Sequence, residues 1–113
     1  MIQTAPTFND IRRVVQQIVE RFDPQKVILF GSYADGKPTD DSDVDLLVVM
    51  DSPRRNVEQA ILIARELDYQ FALDLMVRRP RQLAERIALG DFFLREIMEK
   101  GKVLYECANA RMD

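Results

Sequence analysis

Two apolar runs rich in strand-forming residues, Val27–Phe30 and Val44–Met50, are separated only by Gly31–Asp43. That interval narrows the available folds more than any other feature of the chain. A crossover between parallel neighbouring strands needs about a dozen or more residues, usually as a helix with loops at both ends. Within the interval, Asp35–Ser42 holds Gly36, Pro38 and three aspartates, the composition of a polar loop. The two runs are therefore expected as antiparallel neighbours in a mostly antiparallel or mixed sheet, not in a doubly wound parallel one.

The remaining segments supply helices to cover such a sheet. Thr7 with Asp10 forms a capping pair before Ile11, Val14, Val15, Ile18, Val19 and Phe22, an apolar stripe at helical spacing that Asp23-Pro24 ends. Ser52-Pro53 predicts the start of a second helix carrying Val57, Ala60, Ile61, Ala64 and Leu67 and ending near Tyr69. Phe71–Val77 alternates and predicts a third strand. Pro80 opens a helix with Leu83 and Ile87, Gly90 separates it from another over Phe92–Lys100, and Val103-Leu104-Tyr105 reads as an edge strand. Strands and helices interleave, so the expected class is α/β (α+β), a single domain over 1–113 with a polar tail at about 107–113.

Composition removes whole classes of chemistry. The 113 residues contain no histidine, which excludes serine–histidine hydrolysis, histidine-ligated zinc and histidine acid–base catalysis. The single cysteine, Cys107, has no internal disulfide partner and fits a reducing cytoplasm. A net charge of -3 argues against a large nucleic-acid interface, and no apolar run approaches the ~20 residues of a membrane span. Carboxylates, hydroxyls, Lys/Arg and a borrowed metal remain.

Asp43 and Asp45 stand two apart, so in a strand their side chains leave one face while Val44, Leu46 and Val48 leave the other. Two carboxylates about 6–7 Å apart repel. A divalent cation between them reverses the sign, and hard oxygen donors suit Mg²⁺. Asp74 repeats the arrangement on the third strand, opposite in facing to Phe71, Leu73, Leu75 and Val77. Three such acids on neighbouring strands can hold two metals about 3.5–4 Å apart, the arrangement for in-line phosphoryl or nucleotidyl transfer. Asp40, Asp41 and Asp51 read as solvated loop charges. Gly31-Ser32 follows the first strand directly, where glycine admits close backbone approach and Ser32 adds a donor. If Tyr33-Ala34 begin a short helix, its N–H groups face phosphate oxygens.

Gly31-Ser32-Tyr33-Ala34-Asp35-Gly36 followed by Ser42-Asp43-Val44-Asp45-Leu46 resembles the signature of the DNA polymerase beta-like nucleotidyltransferase superfamily. More narrowly it resembles the minimal nucleotidyltransferases, whose pattern runs Gly-Ser-x-Ala-Arg-Gly, five residues, Ser-Asp-x-Asp-Leu. The closing Gly101-Lys102-Val103-Leu104-Tyr105-Glu106 is also similar, and the likeness covers most of the chain. One position departs: Asp35 stands where the pattern has arginine, leaving Lys37, Arg78 or Arg79 as alternative sources of positive charge.

The resemblance implies Mg²⁺-dependent transfer of AMP from ATP to an acceptor hydroxyl, with two metals. It assigns Gly31, Ser32 and Ser42 to the nucleotide's phosphates, and Asp43, Asp45 and Asp74 to the metals and catalysis. It also implies a HEPN-domain RNase toxin as partner, neutralised by adenylylation of a tyrosine. The chain has no residues over for a substrate domain, so the acceptor is expected on another protein or on a second copy of this one. Two other functions fit less well: a non-catalytic antitoxin that masks its partner, and a subunit transferring nucleotides to an antibiotic.

Overall fold

Thr7 caps the first helix in the computed structural model, which describes residues 5–108. In α1 (Phe8–Phe22) the Thr7 hydroxyl accepts from the Asp10 N–H at 3.2 Å, and the Thr7 N–H donates to Asp10 Oδ2 at 2.8 Å. This is the expected capping box, and Asp23 closes the helix in the left-handed region at φ 49°. The Thr7 backbone hydrogen bond holds the Asp10 carboxyl below the ordinary carboxylate range. Its contribution to stability is present above the unfolded-state value and is lost as pH falls through the lowered folded-state value. Thr7→Ala should lower stability by about 1 kcal/mol, a fall in Tm of roughly 4–6 °C in a melting scan.

Four strands form one sheet: β1 (Lys26–Phe30), β2 (Val44–Val49), β3 (Leu73–Arg78) and β4 (Lys102–Glu106), in spatial order β3-β2-β1-β4. β1 and β2 are antiparallel, as the short interval requires, with Phe30 opposite Asp45. β3 runs parallel to β2 after the crossover helix α2 (Asn56–Glu66), and β4 pairs antiparallel with the free edge of β1. The sheet is mixed. α3 (Pro80–Ala88) and α4 (Phe92–Lys100) complete the chain. The tail expected at 107–113 lies mostly outside the described residues.

Helices cover both faces, which is why β1 and β2 read as unbroken apolar runs. Val27, Leu29, Val44, Leu46 and Val48 pack with Ile11, Val14 and Ile18 of α1 and Ile63 of α2. Ile28, Leu47 and Val49 pack on the other face with Leu83 of α3 and with Leu94 and Ile97 of α4. β3 divides as its alternation predicts, with Leu73, Leu75 and Val77 toward the first cluster and Met76 toward the second. No helix among the described residues is long and apolar enough to cross a membrane.

The second helix departs from its sequence reading at both ends. It starts at Asn56, not after Ser52-Pro53. Ser52 is buried, its hydroxyl bonded to Gln59 and accepting the Arg54 N–H at 3.1 Å, so it ties a turn to the helix instead of capping it. The helix stops before Leu67 because α1 captures the following chain. Gln17 Oε1 accepts the Asp68 N–H at 2.8 Å, Gln17 Nε2 donates to the Asp68 carbonyl at 3.1 Å, and Arg21 donates to the Glu66 carbonyl. The buried face is Gln59 and Ile63, whereas Val57 and Ile61 of the expected stripe are exposed.

Candidate active site

Phe30, Asp45 and Asp74 are register partners across β1, β2 and β3 and form one row at one end of the sheet. Cross-strand partners share a face and neighbouring strands lie about 4.8 Å apart. The row lies on the face that α3 and α4 cover. Asp43 precedes the first residue of β2 rather than lying within it, and keeps the same parity as Asp45. Asp45 is half-buried, while Asp43 and Asp74 are exposed. Burial pushes the Asp45 carboxyl above the ordinary carboxylate range, and the like charges of Asp74 and then Asp43 push it further. The alternation of the two strands thus brings Asp45 and Asp74 into one row, and Asp43, just before β2, lies near enough for its charge to act on Asp45.

Gly31 sits against this acidic row. Its φ is +77°, and a Cβ there would stand 2.3 Å from Asp45 Oδ2. No other residue type lets the backbone pass the carboxylate so closely while turning left-handed. The Gly31 carbonyl accepts the N–H groups of Ala34 and Asp35, both at 3.1 Å, and the Ser32 carbonyl accepts that of Lys37 at 3.1 Å. This is a sequence of turns, so the short helix expected from Tyr33 does not form. Ser42, read as a phosphate ligand, has its hydroxyl engaged in the loop: it accepts the Thr39 N–H at 2.8 Å and lies 3.2 Å from Thr39 Oγ1.

The positive charges expected near the turn are elsewhere. Arg78 ends β3, about 13 Å along the strand from Asp74 at a rise of about 3.3 Å per residue. It donates to the Val77 carbonyl, and Arg79 donates to the carbonyls of Ser52 at 2.9 Å and Arg54 at 2.7 Å. Both lie at the opposite end of the sheet, where Arg79 ties the turn after β2 to the end of β3. Lys37 is exposed in the loop. Sequence reasoning missed Phe93, Glu96 and Lys100 of α4, which with Phe30, Gly31 and Asp35 line a cavity of about 240 Å³ beside the turn. Their only local trace is the i,i+4 spacing of Glu96 and Lys100, which is common on any exposed helix face.

The donor set suits a hard cation. Among the described residues no group of three His, Cys, Asp or Glu stands close enough to enclose a metal ion. Mg²⁺ does not need such a cage, because it binds through one or two carboxylates together with waters and substrate phosphates. Asp45, with its raised carboxyl and two neighbouring like charges, gains most from a divalent partner. Asp43 and Asp74 flank it as further oxygen donors.

Comparison with known proteins identifies the family of the chain. The family model described as polymerase beta, nucleotidyltransferase matches residues 13–109. A Methanocaldococcus jannaschii protein named "Putative protein adenylyltransferase" is 34% identical over 83 residues, 72% of this chain and 78% of that protein. A "putative nucleotidyltransferase" from Sulfolobus solfataricus superposes with a TM-score of 0.59 at 17% identity, covering 87% of this chain and 78% of its own. A toxin-antitoxin crystallised with AMP-PNP gives a TM-score of 0.58 at 23% identity, covering 91% of this chain and 77% of its own. At such identities the two solved structures attest the fold alone, whereas the family match spans nearly the whole chain and includes the Gly31 turn and all three aspartates. This chain belongs to the polymerase beta nucleotidyltransferase family.

Proposed function

We propose that this nucleotidyltransferase moves AMP from ATP to a hydroxyl of a partner protein, a tyrosine by preference, and thereby acts as the antitoxin of a HEPN-domain RNase. The observation that carries the reading is the Gly31 backbone seated against Asp45, with Asp74 in register beside it. That arrangement puts a backbone suited to phosphate oxygens directly beside carboxylates suited to a divalent cation. The name of the archaeal relative supports a protein acceptor, and a fold neighbour that is a toxin-antitoxin crystallised with AMP-PNP supports the partner and the nucleotide.

In this reading Gly31 and Ser32 bind the triphosphate through their N–H groups and the Ser32 hydroxyl. Asp43, Asp45 and Asp74 hold Mg²⁺, which when bound neutralises the charge developing on the phosphates. Ser42 serves through the loop that fixes Asp43. The acceptor oxygen bonds to the α-phosphorus, the α–β anhydride bond breaks, pyrophosphate leaves, and Asp74 takes the hydroxyl proton. The test is incubation with the protein encoded by the neighbouring gene, Mg²⁺ and each NTP in turn, read by intact mass. Gain of one AMP on the partner, from ATP and only with Mg²⁺, is the expected result. A stable complex that gains no mass with any NTP would replace this reading with masking.

A further inference from the structure

β3 forms one edge of the sheet, and among the described residues no strand pairs with its outer side. The Val44 N–H donates to the Ala72 carbonyl at 2.9 Å and the Met50 N–H to the Arg78 carbonyl at 3.1 Å, so alternate residues from Ala72 to Arg78 turn their backbone groups toward β2. The N–H and C=O groups of Leu73, Leu75 and Val77 therefore point outward, an open template for another strand. Its register with β2 is unbroken from Leu73 to Arg78, whereas β4, at the other edge, carries a bulge. α2 packs against β3, and its Val57 and Ile61 are 70% and 54% exposed. Glu66 of α2 faces Arg21 of α1. At about 100° per residue, Val57 and Ile61 stand roughly 180° and 140° around the helix from Glu66, on the side away from α1. Since α1 covers the β4 side of that face, these two residues overlook the free edge.

We propose that the free edge of β3 pairs with the same edge of a second copy of this chain, antiparallel about a two-fold axis at Met76. A two-fold axis matches one surface to itself. With the axis at Met76, Leu75 and Val77 of one copy exchange backbone hydrogen bonds with Val77 and Leu75 of the other, as their outward groups require. Met76 meets Met76, and Asp74 stands opposite Arg78 at two symmetric places. These are the non-hydrogen-bonded positions, where facing side chains come closest. Parity is kept, since Asp74, Met76 and Arg78 share one face of the sheet and Leu75 and Val77 the other. Charge selects this register: an axis at Leu75 sets Asp74 against Met76, and one at Val77 sets it against Pro80, where α3 begins. Arg78 is free to pair, its side chain bonding only the carbonyl of its neighbour Val77, at 2.8 Å. The same axis brings the two α2 helices side by side, with Val57 and Ile61 between them. Each acidic row then runs from Asp45 through Asp74 to the Arg78 of the other copy.

Sedimentation equilibrium over a concentration series tests the pairing without reference to nucleotide transfer. The wild type should sediment at twice the chain mass. Arg78→Glu and Asp74→Arg should each weaken self-association at least roughly tenfold, because each sets like charges face to face at two places. An equimolar mixture of the two variants should recover the dimer. In that mixture the introduced glutamate faces the introduced arginine, while the native Asp74 of one copy still faces the native Arg78 of the other. Asp74 is exposed and Arg78 holds only its neighbour, so both variants should keep the fold, which a melting scan checks. Met76→Cys in a Cys107→Ser background reads the register directly. Cα atoms about 4.5 Å apart at such a pair lie within reach of a disulfide, so mild oxidation should give a covalent dimer by intact mass that reduction reverses. A wild type that stays monomeric throughout would overturn the proposal. So would a dimer that both charge variants retain, a mixture that stays monomeric, or a Met76→Cys variant that does not cross-link.

Discussion

Asp45→Asn is expected to abolish nucleotide transfer while raising the Tm of the metal-free protein at neutral pH. Asn keeps the shape and most of the hydrogen-bonding capacity but removes the charge. The activity loss should exceed the roughly 10–100-fold typical of changes to groups one layer behind a metal's ligands. The stability gain follows from the position of Asp45. Burial, then Asp74 and Asp43, push its carboxyl above the ordinary carboxylate range, so the folded state holds that proton more tightly than the unfolded chain does. At neutral pH the ionised carboxylate therefore opposes folding, and protonation relieves it as pH falls through the raised value. The advantage of Asp45→Asn should shrink over that same acid range. Mg²⁺ should raise the Tm of the wild type by preferential binding to the folded state, and the variant should lack that increment. Melting scans with and without Mg²⁺ beside a transfer assay give all three results. Full transfer activity in Asp45→Asn would discard the carboxylate–metal mechanism.

Gly31→Ala should be the second severe change, and its damage should be local. A left-handed φ of +77° costs a residue with a Cβ about 1–2 kcal/mol. The added methyl would lie 2.3 Å from Asp45 Oδ2 and 3.3 Å from its Cγ, both on a side chain that can rotate away. The fold should survive with a Tm lowered by several degrees. The carboxylate is driven off its position and the backbone N–H groups of the turn lose their approach to phosphate, so transfer should fall at least about 100-fold, toward the Asp45→Asn level, as expected when a reacting geometry shifts by about 1 Å. The double variant Gly31→Ala/Asp45→Asn should lose little beyond either single change, because both disable one unit. Near wild-type transfer in Gly31→Ala would show that the close packing of turn against carboxylate has no catalytic consequence.

Much of the placement of the candidate residues was legible before the fold because it depends on short-range rules. Strand parity alone put Asp45 of β2 and Asp74 of β3 on matching sides, whereas Asp43, expected within the strand, lies just before it. The brevity of Gly31–Asp43 alone required β1 and β2 to be antiparallel, and the Thr7–Asp10 spacing alone located the start of α1. Each of these is a property of a few consecutive residues and the geometry of one element. The Gly31-Ser32 turn belongs with them, although the helix expected after it yielded to a run of turns.

What escaped the sequence depends on groups far apart along the chain. Gln17 and Arg21 of α1 stop the second helix by capturing the backbone of Glu66 and Asp68, and no feature of 56–69 announces it. Ser52 looked like a cap and is instead a buried partner of Gln59, because packing placed an amide beside it. Arg78 and Arg79 looked available to the phosphate turn until the parallel direction of β3 carried them to the opposite end of the sheet. Phe93, Glu96 and Lys100 meet Phe30 and Gly31 only because α4 folds back over β1 and buries Leu94 and Ile97 against Ile28. The sequence by itself determined which acids share a face and which backbone can approach them, since both follow from local geometry. The tertiary structure alone decided what surrounds them, since that follows from which apolar surfaces find one another, and burial is non-directional and blind to sequence distance.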